Sequence, residues 1–392
     1  MKNTGRLCAL TLALALCAAR PCAAEPMEAE PPITLTSPSA ILTEPATGRV
    51  IFEKNADERR PVASVTKVMT ILLTLEALDD GRISESDSVL VSERAAGMGG
   101  SQAFLDANRS YTVGELLSSV IIASANDSAV ALAEHLCGAE EAFVRRMNER
   151  AAELGLTNTH YVNCTGLPAE GHYTTARDVA HLSAQLDAHP LYYTFSTIWM
   201  DELRHSSGRI TQLTNTNRLV RFYPGCDGYK TGSTNEARYC MSATAKKDGM
   251  RLIAVVLGAP AGQTRFDEAR AMLEYGFSNY QLVTPVREGD QLGMDVPVKL
   301  GAQDSVPAVS GGTCSLLVRR GETADISLEV ALVERVSAPV RVGNVLGEIR
   351  VKQGGEVVAA IPALAGRSVE LPGMIGSLLR IRDRFMPGIA GD

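Results

Sequence analysis

Between residues 65 and 78 the apolar positions fall at helical spacing: Val65, Val68, Met69, Leu72, Leu75 and Leu78. That period predicts a mostly buried helix of about four turns. It stops at Asp79-Asp80-Gly81, where glycine suits the position just past a helix end. Upstream, two short apolar runs within 40–54 flank Glu44-Pro45-Ala46-Thr47-Gly48 and predict a hairpin with a Pro/Gly turn. Thr112, with Glu115 three residues on, forms a capping box that opens a helix over 112–117. Further helices are predicted over 127–136, 140–154 and 175–186, the last capped by Thr175. Ser124-Ala125-Asn126 lies on the turn between two of them.

After Trp199 the pattern changes. Residues 229–232, 237–245 and 251–257 read as strands, the last two joined by Lys246-Lys247-Asp248-Gly249, where Asp-Gly marks a tight hairpin. A helix over 266–275 closes the segment. Strands at both ends with helices between predict one antiparallel sheet with an inserted helical lobe. From Tyr280 onward, Val-rich runs alternate with Gly and Asp turns at 282–286, 296–300, 315–319, 326–333, 345–351 and 357–361. They predict a small all-β domain. The fold class is therefore α+β, with the sheet-and-lobe domain followed by an all-β domain.

The last segment follows Pro372-Gly373. On a helical wheel Met374, Ile375, Leu378, Leu379, Ile381 and Phe385 share one side, opposite Arg380, Asp383 and Arg384. Such a basic amphipathic helix is a candidate anchor at a membrane surface; docking on the β-domain is the alternative. At the other end, Lys2 and Arg6 precede an apolar run over 7–19, shorter than the ~20 residues of a membrane span. Cys22-Ala23-Ala24 places small residues where signal cleavage needs them, so cleavage is expected after Ala24, with a retained anchor as the alternative. The resulting organisation is a signal peptide at 1–24, a flexible Pro/Glu/Ala-rich leader at 25–38, a catalytic domain at 39–279, a β-rich domain at 280–370 and an amphipathic tail at 371–392.

Composition changes this picture little. The chain has 392 residues, 45% apolar and 21% charged, as a two-domain globular protein would. Its net charge of −7 argues against a nucleic-acid partner, which needs a basic face. Cys8, Cys17 and Cys22 leave with the signal, and Cys137, Cys164, Cys226, Cys240 and Cys314 remain. An odd number cannot pair completely, and none has C-x-x-C spacing, so small buried thiols are expected. Cys226 and Cys240 flank one hairpin, which leaves a bridge between them open.

Three short runs carry candidate chemistry. The first is Ser64-Val65-Thr66-Lys67. A serine hydroxyl needs a base within hydrogen-bond reach, and residues i and i+3 share a helix face. With Ser64 opening the helix, the helix dipole favours negative charge beside it. Lys67 acts as a base only when neutral, which burial beside another cation promotes. The second run is Ser124-Ala125-Asn126, whose hydroxyl can relay a proton to a leaving amine. Its amide can hold Lys67 or the substrate backbone. The third is Lys230-Thr231-Gly232 on a strand. Lys230 offers charge to a carboxylate and depresses the pKa of Lys67, Thr231 hydrogen-bonds that carboxylate, and Gly232 lets the substrate backbone approach the strand edge. Each run alone has a bland reading as a helix cap or a strand lysine; the ordered set does not.

S-x-x-K, S-x-N and K-T-G in this order resemble the penicillin-recognising serine enzymes. The surroundings resemble the low-molecular-mass D-alanyl-D-alanine carboxypeptidases: Glu53-Lys54-Asn55-Ala56, Arg60-Pro61-Val62-Ala63-Ser64, Ser124-Ala125-Asn126-Asp127, Gly166-Leu167-Pro168, Gly171-His172-Tyr173-Thr174 and Asp227-Gly228-Tyr229-Lys230-Thr231-Gly232. The resemblance covers roughly residues 36–280 by motif and the remainder by layout. It implies a β-lactamase/transpeptidase-like catalytic domain that releases D-alanine from peptidoglycan stem peptides through an acyl-enzyme on Ser64. It implies proton acceptance by Lys67, an oxyanion site between the N–H groups of Ser64 and Ser233, and substrate-carboxylate binding by Arg265, with Arg218 a softer candidate. β-Lactams are implied as covalent inhibitors. Where the family often has His after K-T-G this chain has Ser233. No metal or cofactor is implied, and His172 stays unassigned. A β-lactamase would lack the β-domain, and its E-x-x-L-N run is missing here. A non-catalytic sensor would need a membrane span leading to an effector.

Overall fold

The computed structural model describes residues 33–322 and 325–373. The expected signal peptide, most of the leader and the amphipathic helix over 374–385 lie outside the described residues.

The segment opens with the hairpin of β1 (Ser39–Glu44) and β2 (Arg49–Lys54). The Glu44 carboxylate builds its turn, accepting the N–H groups of Ala46 and Thr47 at 2.9 and 2.8 Å. A 3-10 turn at Ala63–Thr66 leads into α1 (Lys67–Asp79). The lobe follows as β3 (Ser88–Leu90), α2 (Glu93–Ala96), β4 (Ser110–Thr112), α3 (Val113–Ile122), α4 (Asn126–Cys137), α5 (Glu140–Glu153), α6 (Ala176–Gln185) and α7 (Pro190–Ser196). The capping box of Thr112 and Glu115 is formed, and Thr175 caps α6 by accepting the Asp178 N–H. A hairpin of β5 (Met200–Arg204) and β6 (Ile210–Thr214) and the short α8 (Leu219–Phe222) come next. Then β7 (Cys226–Thr234), β8 (Arg238–Lys247), β9 (Met250–Ala259) and α9 (Gly262–Asn279) complete the segment.

One antiparallel sheet of order β2-β1-β9-β8-β7 joins both ends of this segment around the helical lobe. Its central strand β9 is buried almost throughout, as a strand covered on both faces must be; α6 and α9 both pack on it. The strand β7 lies at one edge of the sheet and pairs with no strand but β8. That leaves a row of backbone groups able to pair with an extended ligand.

The second domain contains β10 (Tyr280–Val286), β11 (Gln291–Lys299), β12 (Ser305–Ser310), β13 (Cys314–Arg319), β14 (Ile326–Leu332), β15 (Val336–Ser337), β16 (Val345–Gln353) and β17 (Glu356–Ala365). A sheet of order β14-β16-β17-β12-β11-β15 and the pair β10-β13 make up its described structure. The α+β class and the all-β second domain stand as the sequence predicts.

Several details differ. Ser64 does not open the α-helix; it lies in the 3-10 turn ahead of it, after Ala63 at a positive φ of 50°. The hairpin of β5 and β6 escapes the sequence because each strand buries a single residue, Leu203 or Leu213, so no alternation shows. Pro307 masks β12 by interrupting a run that otherwise alternates. Cys226 and Cys240 do not bridge. In the β7–β8 register Cys240 faces Gly232, six residues along from Cys226, and all five described cysteines are free thiols. Two strands offset by that many residues hold the two sulfurs far beyond the ~2 Å of a bond.

Candidate active site

The 3-10 turn brings Ser64 and Lys67 together where β7 passes. Lys67 is fully buried, and its Nζ donates to Ser64 Oγ at 2.9 Å and to the Thr165 carbonyl at 2.8 Å. Burial lowers its pKa to about 7, against smaller opposing effects of Cys164 and Asp127. A lysine in that range is a competent proton acceptor near neutrality. The sequence expectation gave burial beside the cation Lys230 as the cause; desolvation is the cause, and Lys230 is not among the groups that lower it. The like-charge effect falls on Lys230, which is pushed well down first by its own burial and then by Lys67 and Arg265.

The second run sits at the junction of α3 and α4, both of which pack on α1. Ser124 sits at a positive φ of 63°, its Oγ buried and without a partner. Asn126 is the first residue of α4. Its backbone N–H donates to Ser101 at 2.7 Å and its Nδ2 to the Gly99 carbonyl at 2.6 Å, while its buried Oδ1 has no partner. The Asn126 amide thus anchors the 99–101 loop and keeps one acceptor free. Buried polar atoms left unpaired in a folded protein call for a ligand or water.

On the third side, Lys230, Thr231 and Gly232 are buried on β7 and Ser233 is exposed beyond them. Gly232 is explained by the protein itself rather than by a substrate. A Cβ there would stand 2.6 Å from the Val62 carbonyl oxygen and 2.8 and 2.9 Å from the backbone nitrogens of Ser64 and Val65. Only glycine lets the strand lie this close to the nucleophile turn. Arg265, on α9, donates from Nη1 to the Gly232 carbonyl at 2.9 Å and to that of Cys240 at 3.3 Å; its Nε is buried and unpaired. Its guanidinium also lies over the Phe266 ring, 4.8 Å from the centroid. Arg218 is exposed, and its guanidinium donates to Gln263 at the start of α9 at 3.5 Å.

The structure gives contacts to residues for which the sequence assigned no role. Asn163 Oδ1 accepts from Thr165 N and Gly166 N at 3.2 and 2.7 Å, holding the turn whose Thr165 carbonyl receives Lys67. Gly166, at φ 83°, abuts Ala63 so tightly that a Cβ would lie 1.9 Å from its carbonyl oxygen. His172, left unassigned by the sequence, reaches Thr66 inside the S-x-x-K run: Nε2 lies 2.8 Å from Thr66 Oγ1, while Nδ1 accepts the Val162 N–H at 3.1 Å. With Nδ1 accepting, the proton is on Nε2, which donates to Thr66. Burial lowers this imidazole's pKa to about 4. The one legible hint was His172's place in the Gly171-His172-Tyr173-Thr174 run.

A buried lysine bonded to a serine beside an edge strand is an arrangement suited to serine acyl transfer. The chain belongs to the D-alanyl-D-alanine carboxypeptidase family. The model of that peptidase family matches residues 25–261, and the model of the penicillin-binding protein 5 C-terminal domain matches residues 280–371. The chain is 44% identical over 343 residues to the D-alanyl-D-alanine carboxypeptidase DacF of Bacillus subtilis, spanning 87% of this chain and 88% of that protein. It is 35% identical over 345 residues to DacC of Escherichia coli, spanning 86% and 85%. Among solved structures it is similar to penicillin-binding protein 5 of Haemophilus influenzae, with a TM-score of 0.73 at 29% identity, covering 86% of this chain and 99% of that one. The enzyme is thus a serine-type D-alanyl-D-alanine carboxypeptidase and a penicillin-binding protein, acting on peptidoglycan peptides.

Proposed function

We propose that Ser64 carries the acyl group in this reaction. The observation that bears the most weight is the 2.9 Å contact from Lys67 to Ser64 Oγ, with Lys67 fully buried and its pKa near 7. Neutral Lys67 takes the Ser64 proton as Oγ attacks the carbonyl between the two terminal D-alanines. The N–H groups of Ser64 and Ser233 face the developing oxyanion. Ser124 passes a proton to the departing amine, and water then hydrolyses the ester. The unpaired Asn126 Oδ1 accepts a substrate N–H while the peptide lies along the edge of β7. The terminal carboxylate sits with Lys230, Thr231 and Arg265. A carboxylate arriving beside Lys230 favours the charged form that burial opposes. The test is mass spectrometry after incubation with a penicillin: the adduct is expected on the peptide containing Ser64, and an adduct on any other residue overturns the assignment.

The same reading places the enzyme outside the cytoplasm. The basic start, the apolar run and Cys22-Ala23-Ala24 support export with cleavage after Ala24, a leader to residue 38, a catalytic domain at 39–279 and a β-domain at 280–370. The apolar and basic sides of 374–385 support attachment to the outer face of the cytoplasmic membrane. Among the described residues no helix is long and apolar enough to cross a membrane. Deleting 374–392 is expected to release the enzyme into the soluble fraction; retention on membranes contradicts the anchor.

A further inference from the structure

One exposed aromatic near the site has no structural explanation. Phe104 is 57% exposed, yet it holds a positive φ of 59°. A bulky residue in that region is a genuine outlier, and such outliers persist only where the surroundings enforce them. Here the enforcing group is Asp127, the fully buried residue that follows Asn126. Its Oδ1 accepts the Ala103 N–H at 3.0 Å and its Oδ2 the Leu105 N–H at 3.1 Å, strapping the backbone on both sides of Phe104. Arg209, on the loop between β5 and β6, donates to the Phe104 carbonyl. The neighbouring residues Ala103 and Leu105 turn inward and are buried, so Phe104 alone is turned to solvent.

The loop that carries Phe104 is the one that holds the site's amide. Asn126 bonds to Gly99 and Ser101, and Phe104 lies three residues further on. Three residues span at most about 11 Å, so Phe104 is held within that reach of the Ser101 carbonyl on which the Asn126 N–H rests. A carboxypeptidase releases a single residue from the leaving side. Any additional contact along the cleft is therefore with the acyl side of the substrate.

We propose that Phe104 is a binding platform for the acyl portion of the stem peptide, packing its ring against the aliphatic side chain of a residue that precedes the terminal D-alanine pair. The inference rests on the site reading above. An exposed ring offers apolar area and a flat face to an alkyl chain, and the Asp127 strap fixes its position before the substrate arrives, which lowers the ordering cost of binding. On this proposal a minimal acylated D-Ala-D-Ala dipeptide falls short of the ring, and a full stem pentapeptide reaches it.

The test compares kcat and KM for these two substrates in wild type, Phe104→Gly and Phe104→Trp. Glycine removes the ring and accepts the positive φ, so its melting temperature is expected to equal or exceed that of wild type. For Phe104→Gly the pentapeptide kcat/KM is expected to fall about tenfold, mainly through KM, as for loss of one aromatic contact. The dipeptide value is expected to stay within about twofold, the range left when no bound group is lost, and Phe104→Trp to restore the pentapeptide. Equal losses on both substrates, or no loss on either, overturn the proposal. A wild-type enzyme that releases D-alanine from neither substrate overturns the site reading itself.

Discussion

Gly232 and Ser64 are separated by less than a side chain: a Cβ on Gly232 would sit 2.8 Å from the Ser64 backbone nitrogen. The third residue of the K-T-G run thus sets how deeply the nucleophile turn seats against β7. Gly232→Ala must displace the backbone that carries Ser64, because the clashing atoms are backbone and not flexible side-chain ends. A shift of even 1 Å at reacting atoms costs about a hundredfold in rate. The variant is expected to fold, with a small loss in melting temperature, and to be acylated by penicillin at least about a hundredfold more slowly. Wild-type acylation in Gly232→Ala contradicts this packing role.

Lys67 predicts the pH dependence of acylation. In the proposed mechanism its neutral form takes the proton, and burial brings its pKa to about 7. Below that pH the ammonium predominates and the base is lost; above it the amine is available. The rate of penicillin acylation is expected to rise with pH through a single titration near 7 and then level off. Lys67→Ala is expected to leave a folded protein slower by about a hundredfold to ten-thousandfold, as for loss of a general base. Stopped-flow or gel-based labelling across the pH range measures both, and a flat profile excludes Lys67 as the group that titrates.

His172 predicts acid sensitivity of the fold. Its pKa near 4 lies below the ~6.5 of an unfolded histidine. Between those values the unfolded chain binds the extra proton, so stability falls as pH drops from 6.5 towards 4 and is fully retained above 6.5. The loss amounts to about 3 kcal/mol by the end of that window. Protonation also removes the Nδ1 acceptor that Val162 uses. His172→Gln, which keeps a donor for Thr66 without titrating, is expected to lose distinctly less. Urea unfolding at pH 7 and pH 4.5 compares the two, and an identical drop in both proteins removes His172 as the cause.

The candidate site residues were legible because their chemistry is written in local runs. Ser64 and Lys67 are three residues apart, and Lys230 to Gly232 are contiguous, so spacing alone brought each set together, although Ser64 lies in the 3-10 turn and Lys67 opens α1. The sheet and lobe were legible from periodicity, since α1 and β9 bury long apolar runs. What escaped was whatever depends on distant partners. The Thr165 carbonyl and Lys67 are 98 residues apart in the chain, and His172 and Thr66 are 106 apart. No local pattern ties such pairs. For the low Lys67 pKa the sequence reading named burial beside another cation; burial is the cause, and the expected effect of Lys230 is absent from it. The disulfide left open between Cys226 and Cys240 failed on strand register, which the turn length in the sequence did not fix.

The central claim is that Ser64, activated by Lys67, releases the terminal D-alanine of a peptidoglycan stem. Mass spectrometry of stem pentapeptide incubated with the purified enzyme tests it most directly. Wild type is expected to yield tetrapeptide and free D-alanine, and Ser64→Ala to yield neither while remaining folded. Pentapeptide left intact by wild type, or D-alanine released at the wild-type rate by Ser64→Ala, contradicts the account.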